Sequence, residues 1–203
     1  MLDLRIDPAV IAEFASIGRF AAERGWVPAT SGNFSRRLDG RHAAITRSGV
    51  DKGALSAGDV IVVALDEPLP PGVSAETPLH VARYRADASV GAIAHVHSVT
   101  ATVLSRAECA RGAIELEGYE MHKALAGFTT HESTLRIPIF RNAQDTAALA
   151  AHVESKLSPG CVPAYLLAGH GLYAWGETME VARRHVEALE FLLRCALEER
   201  RIT

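Results

Sequence analysis

The stretch Gly91-Ala-Ile-Ala-His-Val-His97 decides how the rest of this 203-residue chain is read. It is apolar apart from its two histidines and too short for an ordinary helix, so it reads as a strand over 92–97. Side chains at i and i+2 of a strand point to the same face of the sheet, which aims both imidazoles at one spot. An otherwise apolar strand has little use for two such rings unless they hold something. A third histidine stands in Gly169-His170-Gly171, a turn between two further strand-like runs. Three neutral imidazoles with an open fourth position are one way to hold a catalytic zinc ion. By itself, His170 reads equally well as an ordinary turn residue.

Working outward, strand-like and helix-like segments alternate. Asp7-Pro8 fits a helix start. Val10, Ile11, Phe14, Ile17 and Ala21 follow at helical spacing, and Gly25 closes the segment. Strands are expected over 43–46 and 60–65, with a polar loop at 47–59 between them. A helix over 77–87 precedes the histidine strand and another over 99–106 follows it. Beyond these the pattern predicts a strand over 114–116, a helix over 119–126, a strand over 136–140 and a helix over 145–157. Strands over 164–168 and 172–175 flank His170. A final helix over 179–201 carries Ala182, Val186, Leu189, Leu193 and Leu197 on its apolar side. The alternation argues for one layered α/β domain over 1–203. Its close strand pairs predict antiparallel neighbours rather than a purely parallel sheet.

Composition narrows the function classes. With 48% hydrophobic and 22% charged residues and a net charge of −3, the chain has material for a core. The charge balance gives no reason to expect nucleic acid or a membrane surface as partner. No apolar run approaches the ~20 residues needed to cross a bilayer. The segment Met1 to Pro8 lacks the cationic stretch and apolar core of a signal peptide. Cys109, Cys161 and Cys195 are an odd count without paired spacing, as expected of reduced thiols in the cytoplasm.

Two carboxylates and three polar turns are candidates for chemistry. Glu76 lies in Ser74-Ala-Glu-Thr-Pro78 and Glu120 in Glu117-Gly-Tyr-Glu-Met121, each at an expected helix start. There an acidic residue is equally explained by the helix dipole or by capping. The turns are Thr30-Ser-Gly-Asn-Phe-Ser35, Thr46-Arg-Ser-Gly49 with Lys52 following, and Ser74-Ala75. Hydroxyls and glycine-freed backbone N–H groups form anion-binding concavities, although each segment alone also reads as a plain turn. His42, His131, His152 and His185 read as surface residues. Phe34, Met121 and Leu125 are candidates to line an apolar part of a substrate pocket, or ordinary core. There is no Gly-rich nucleotide fingerprint and no nucleophile elbow.

Taken in order, six segments carry a resemblance: Ala29-Thr-Ser-Gly-Asn-Phe-Ser35, Thr46-Arg-Ser-Gly-Val-Asp-Lys-Gly53, Ser74-Ala-Glu-Thr-Pro-Leu-His80, His95-Val-His-Ser-Val-Thr-Ala101, Glu115-Leu-Glu-Gly-Tyr-Glu-Met121 and His170-Gly-Leu-Tyr-Ala-Trp-Gly176. Together they resemble the class II, zinc-dependent aldolase and ribulose-phosphate epimerase superfamily, from Phe14 to about Leu193, and most of all its dehydratase branch. The resemblance implies a three-layer α/β/α fold with a central mixed, largely antiparallel sheet. It implies one Zn2+ per subunit, held by His95, His97 and His170, in sites near the subunit boundaries of a homo-oligomer, by family precedent a tetramer. It places a substrate phosphate at Ser31, Gly32, Asn33, Thr46, Ser48, Gly49 and Ser74. Glu120 matches the catalytic acid/base of the dehydratase branch. Glu76 matches the acid/base carboxylate of the aldolase branch, a position where the dehydratase branch does not always keep a glutamate. The expected activity is metal-assisted loss of water from a sugar phosphate. The alternatives are a sugar-phosphate aldolase or 4-epimerase, or a non-catalytic assembly module like the adducin head.

Overall fold

The structure is a computed structural model that describes residues 6–158 and 160–202. One eight-stranded sheet organises them. Its strands are β1 (Asn33–Arg37), β2 (His42–Thr46), β3 (Val60–Ala64), β4 (Ala92–Val96), β5 (Ala113–Leu116), β6 (Leu135–Phe140), β7 (Ala164–Leu167) and β8 (Gly171–Gly176). They lie side by side in the order β3-β2-β1-β4-β8-β7-β6-β5. Every pairing is antiparallel except β6 with β7, which is parallel. The helices are α1 (Pro8–Glu23), α2 (Thr77–Ala86), α3 (Val99–Ala107), α4 (Thr146–Glu154) and α5 (Met179–Ile202). Among the described residues no helix is long and apolar enough to cross a membrane.

The period-2 alternation of the strands sorts side chains into two cores. Ala92, Ala94 and Val96 of β4, with Leu172 and Ala174 of β8, face a core completed by Phe14, Ile17, Leu104, Leu189 and Leu193 of α1, α3 and α5. Ile93, Tyr165, Tyr173 and Trp175 face the other way, onto Leu79, Val81, Leu149 and Val153 of α2 and α4. The result is α1, α3 and α5, then the sheet, then α2 and α4. This is the three-layer arrangement with a mixed, largely antiparallel sheet that the resemblance implied.

Most expected segments are present within one or two residues. The helix start at Asp7 is explained by its carboxylate, which accepts from the Ala9 N–H at 2.8 Å, with Pro8 in the first turn. Two expectations need correction. Residues 33–35, read as the end of the polar turn Thr30–Ser35, belong with Arg36 and Arg37 to β1, a central strand registered between β2 and β4. Residues 119–126, read as a helix, contain only a short 3-10 turn, Glu120–Ala124. Gly118 and Gly127, both at positive φ, bracket it and leave no room for a regular helix.

One buried acid in this frame has a measurable consequence. Glu190 of α5 is 4% exposed, and burial pushes its carboxyl up to about 7, a rise that a hydrogen bond from the Ser98 hydroxyl only partly opposes. A carboxyl raised above its ordinary value of 4.5 contributes stability that is fully present below pH 4.5 and is lost as pH rises through about 7. Glu190→Gln is therefore expected to be more stable than the parent above pH 7 by about 2–3 kcal/mol. Calorimetry at about pH 8.5 and about pH 4, on either side of that window, checks it. Equal Tm values at the higher pH would contradict it.

Candidate metal centre

β4 and the turn before β8 bring the three histidines together. His95 pairs with Tyr173 across β4 and β8, and the two rings stack with centroids 3.9 Å apart. His97 follows immediately after β4 and stays on the same face, its backbone N–H held by the Trp26 carbonyl at 2.7 Å. His170 occupies the β7–β8 turn, its carbonyl accepting from the Thr102 hydroxyl at 2.9 Å. Gly171 is required at the next position, because a Cβ there would lie 2.2 Å from the Val96 carbonyl oxygen. The His97 and His95 Nε2 atoms are 2.8 Å apart, and those of His170 and His97 are 3.1 Å apart.

Glu76 completes the group. It precedes α2, yet its side chain does not cap that helix. Instead Oε1 lies 2.7 Å from His170 Nε2, and Oε2 lies 3.5 Å from His95 Nε2. Asn33 Nδ2 donates to Oε2 at 2.6 Å and orients the carboxylate, while the Glu76 N–H donates to Ser74 Oγ at 3.2 Å and fixes its backbone. One ligand atom from each of Glu76, His95, His97 and His170 lies within 4.8 Å of all the others.

The hydrogen-bond inventory explains why this donor set suits a cation. A carbonyl can only accept, so the His95 Nδ1 atom, 3.0 Å from the Leu172 carbonyl, carries the ring proton. His95 Nε2 is then a bare lone pair facing another ring nitrogen and a carboxylate. Burial, reinforced by the His95 and His170 rings, drops His97 to about 3, so it too is neutral at pH 7. Burial likewise lowers His95. Burial opposes ionisation of Glu76, but the His95 and His170 imidazoles outweigh it and hold the carboxyl far below the usual range. Ligands about 2.0 Å from a tetrahedral zinc ion sit about 3.3 Å from one another. The observed nitrogen spacings are close to that value. The residues present therefore fit a divalent metal.

The remaining candidates divide. In Gly32 the φ is +73°, and an added Cβ would come 2.7 Å from the His95 carbonyl oxygen, so this turn lies directly under the histidine strand. The Ser31 hydroxyl is buried without a partner. Thr46 Oγ1 is buried and accepts from the Phe34 N–H at 3.1 Å. The Ser48 N–H donates to the Gly72 carbonyl at 3.1 Å, and Gly49 is an exposed turn residue with φ +73°. Glu120 stands apart from this cluster. Its side chain is 69% exposed and bonds to Lys123 Nζ at 2.6 Å and His131 Nδ1 at 3.3 Å. The Lys123 contact, above all, lowers its pKa. Phe34 and Leu125 are buried core residues, whereas Met121 beside Glu120 is exposed.

Three buried polar residues were missed or misjudged. His185, read as surface, is fully buried: its Nδ1 donates to the Trp175 carbonyl at 2.6 Å and its Nε2 accepts from Ala126 N–H. His80 lies behind the cluster, with Nδ1 2.7 Å from Ser35 Oγ. Its place one helical turn after Glu76 was the available signal. Lys52 is 2% exposed and donates to two backbone carbonyls. No periodicity announces it.

Residues 12–197 match the family described as the class II aldolase and adducin N-terminal domain. A protein of Parvibaculum lavamentivorans named methylthioribulose-1-phosphate dehydratase is 50% identical over 197 residues, 96% of this chain and 97% of its own length. One of the same name from Xanthomonas campestris pv. campestris is 52% identical over 185 residues, covering 89% of this chain and 84% of the relative. Among solved structures, an L-fuculose-1-phosphate aldolase from Thermus thermophilus superposes with a TM-score of 0.77 at 28% identity, covering 94% of each chain. With the family's match spanning most of its length, the chain belongs to the class II aldolase and adducin N-terminal domain family.

Proposed function

We propose that this chain is a cytoplasmic, zinc-dependent hydro-lyase that converts 5-methylthioribulose 1-phosphate to 2,3-diketo-5-methylthiopentyl 1-phosphate, a step of methionine salvage. The observation that carries the reading is the convergence of three imidazoles and a carboxylate on one point. Relatives named for that reaction, about half identical over nearly the whole chain, support the choice of substrate.

His95, His97 and His170 hold the metal, one Zn2+ per subunit. Bound there, it supplies Lewis-acid polarisation of a ketose carbonyl and stabilises negative charge growing on that oxygen. Ser31, Gly32, Asn33, Thr46, Ser48, Gly49 and Ser74 take the phosphate, which fixes the reacting carbons relative to the histidines. Glu120 removes the C3 proton and returns a proton to the C4 hydroxyl as it leaves, since one carboxylate within reach can act as base and then acid. Glu76, oriented by Asn33 and Ser74, fills the open ligand position before substrate arrives or assists the proton transfers.

In a single protomer Glu120 lies outside the cluster, on the segment after β5 at the far edge of the sheet. Four strand spacings of about 4.8 Å, roughly 19 Å, separate β4 from β5. Glu120 is instead supplied to the histidines of a neighbouring subunit in a homo-oligomer, a tetramer. Exposed Met121 beside Glu120, and exposed Val99 and Val103 on α3 just after His97, are the apolar side chains such a boundary would cover.

A second reading, retro-aldol cleavage, is favoured by one observation: Glu76, not Glu120, touches the histidines within the chain. The discriminating assay incubates the protein with methylthioribulose 1-phosphate and separately with fuculose 1-phosphate. Diketone from the first and no aldehyde from the second is the expected result. Aldehyde release without diketone would replace the dehydratase by an aldolase.

A further inference from the structure

Lys52, so far named only as following the second candidate phosphate turn, is one of the largest fully buried side chains among the described residues. Its ammonium donates to the Thr30 carbonyl at 2.8 Å and the Val50 carbonyl at 2.9 Å. Thr30 opens one candidate anion turn and Val50 follows the other, so a single side chain ties the two together. Its own backbone is fixed from behind by α1: a Cβ on Gly18 would lie 2.0 Å from the Lys52 carbonyl oxygen.

Two further observations give the tie a purpose. Ala29 and Thr30 have φ of +50° and +63°, the only non-glycine residues at positive φ among those described. Side-chain-bearing residues leave that region unless something holds them, and the Thr30 carbonyl is what Lys52 grips. This conformation places the buried, unpartnered Ser31 hydroxyl in the same turn. The ammonium also lacks a counter-charge. Among the described residues no carboxylate pairs with it, and Asp51, Glu76 and Asp59 act on it only as more distant charges. Two neutral carbonyls solvate a buried cation without neutralising it.

We propose that Lys52 is a positioning residue for the phosphate turns: it clamps residues 29–32 against residues 46–50, and the positive charge it carries is matched by the anion those turns receive. This rests on the sugar-phosphate reading above. Removing the ammonium frees both carbonyls, lets Ala29 and Thr30 relax, and leaves the phosphate without its buried counter-charge. The metal cluster, held by β4 and the β7–β8 turn, keeps its geometry.

Lys52→Met, which keeps the stem and removes the charge, tests this with inorganic phosphate as probe. Titration calorimetry should show phosphate affinity weakened at least about tenfold, the scale of a lost hydrogen bond to a charged group. Zinc content should match the parent. With methylthioribulose 1-phosphate the loss should fall on KM more than on kcat, while the free sugar 5-methylthioribulose loses much less. Phosphate affinity within about twofold of the parent would overturn the proposal, as would equal losses with ester and free sugar, or a parent that binds no phosphate. Should Lys52→Met not fold, Lys52→Met with Thr30→Gly, whose turn no longer holds a threonine at positive φ, carries the same measurement and the same expected loss. A parent that binds phosphate but turns over no sugar phosphate would remove the proposed function, and the phosphate comparison would still judge Lys52.

Discussion

His97→Ala is expected to lose metal and turnover together. His97 is the middle member of the cluster, with its Nε2 atom 2.8 Å from that of His95 and 3.1 Å from that of His170. Its removal leaves two imidazoles and a carboxylate to hold the ion, and an open position that water can fill. A bound divalent ion contributes several kcal/mol of charge stabilisation, so its loss should lower kcat/KM by at least about a thousandfold. The variant should still fold, because His97 is only half-buried and its structural bond is made by its backbone N–H. Elemental analysis beside the activity assay checks both halves. Full zinc occupancy in this variant would remove His97 from the ligand set.

Glu120→Gln separates metal from proton transfer. The side chain is exposed and touches none of the histidines in its own chain, so zinc content should stay at the parent level. Loss of a general acid/base costs about 10²–10⁴ in kcat. The proposed sharing of each site between subunits adds a second, independent consequence. In mixed oligomers of His97→Ala and Glu120→Gln chains, a site built from the good half of each is intact. Random assembly in equal amounts would restore about one site in four. Near-normal turnover of Glu120→Gln alone would take the acid/base role from it. Mixed oligomers as inactive as their parents would place every catalytic group within one chain.

The histidine strand and its neighbours were legible because their signals are local. Ala92, Ala94 and Val96 alternate with Ile93 and His95, and that alternation places the two histidines on the α2–α4 side of the sheet. The helix over α5 was equally clear from its apolar spacing. β1 was not, because Asn33-Phe-Ser-Arg-Arg37 has the composition of a turn. Its strand is made by tertiary partners. Ser35 bonds His80 and Tyr84, and Arg37 bonds the Val90, Tyr84 and Asp87 carbonyls. A polar residue satisfied by distant groups gives no sign of its burial in the sequence. The burial of Lys52, named only as following a polar turn, and of His185, read as a surface residue, was hidden for the same reason, since each donates to backbone carbonyls that any residue supplies. The histidine cluster was the opposite case: the i, i+2 spacing announced His95 and His97, while His170 joined them only through the resemblance, and the structure brings all three together. The turn of Glu76 away from its helix start toward His170 needed coordinates.

The proposed dehydration of the methylthio sugar phosphate depends on a metal at His95, His97 and His170. The most direct test is turnover of methylthioribulose 1-phosphate with chelator added and then excess zinc. Diketone formation should stop with chelator and return with zinc. Diketone formation indifferent to the chelator, or a metal-free protein with no turnover at any zinc concentration, would contradict the proposal, and the second outcome would favour an assembly module of this fold.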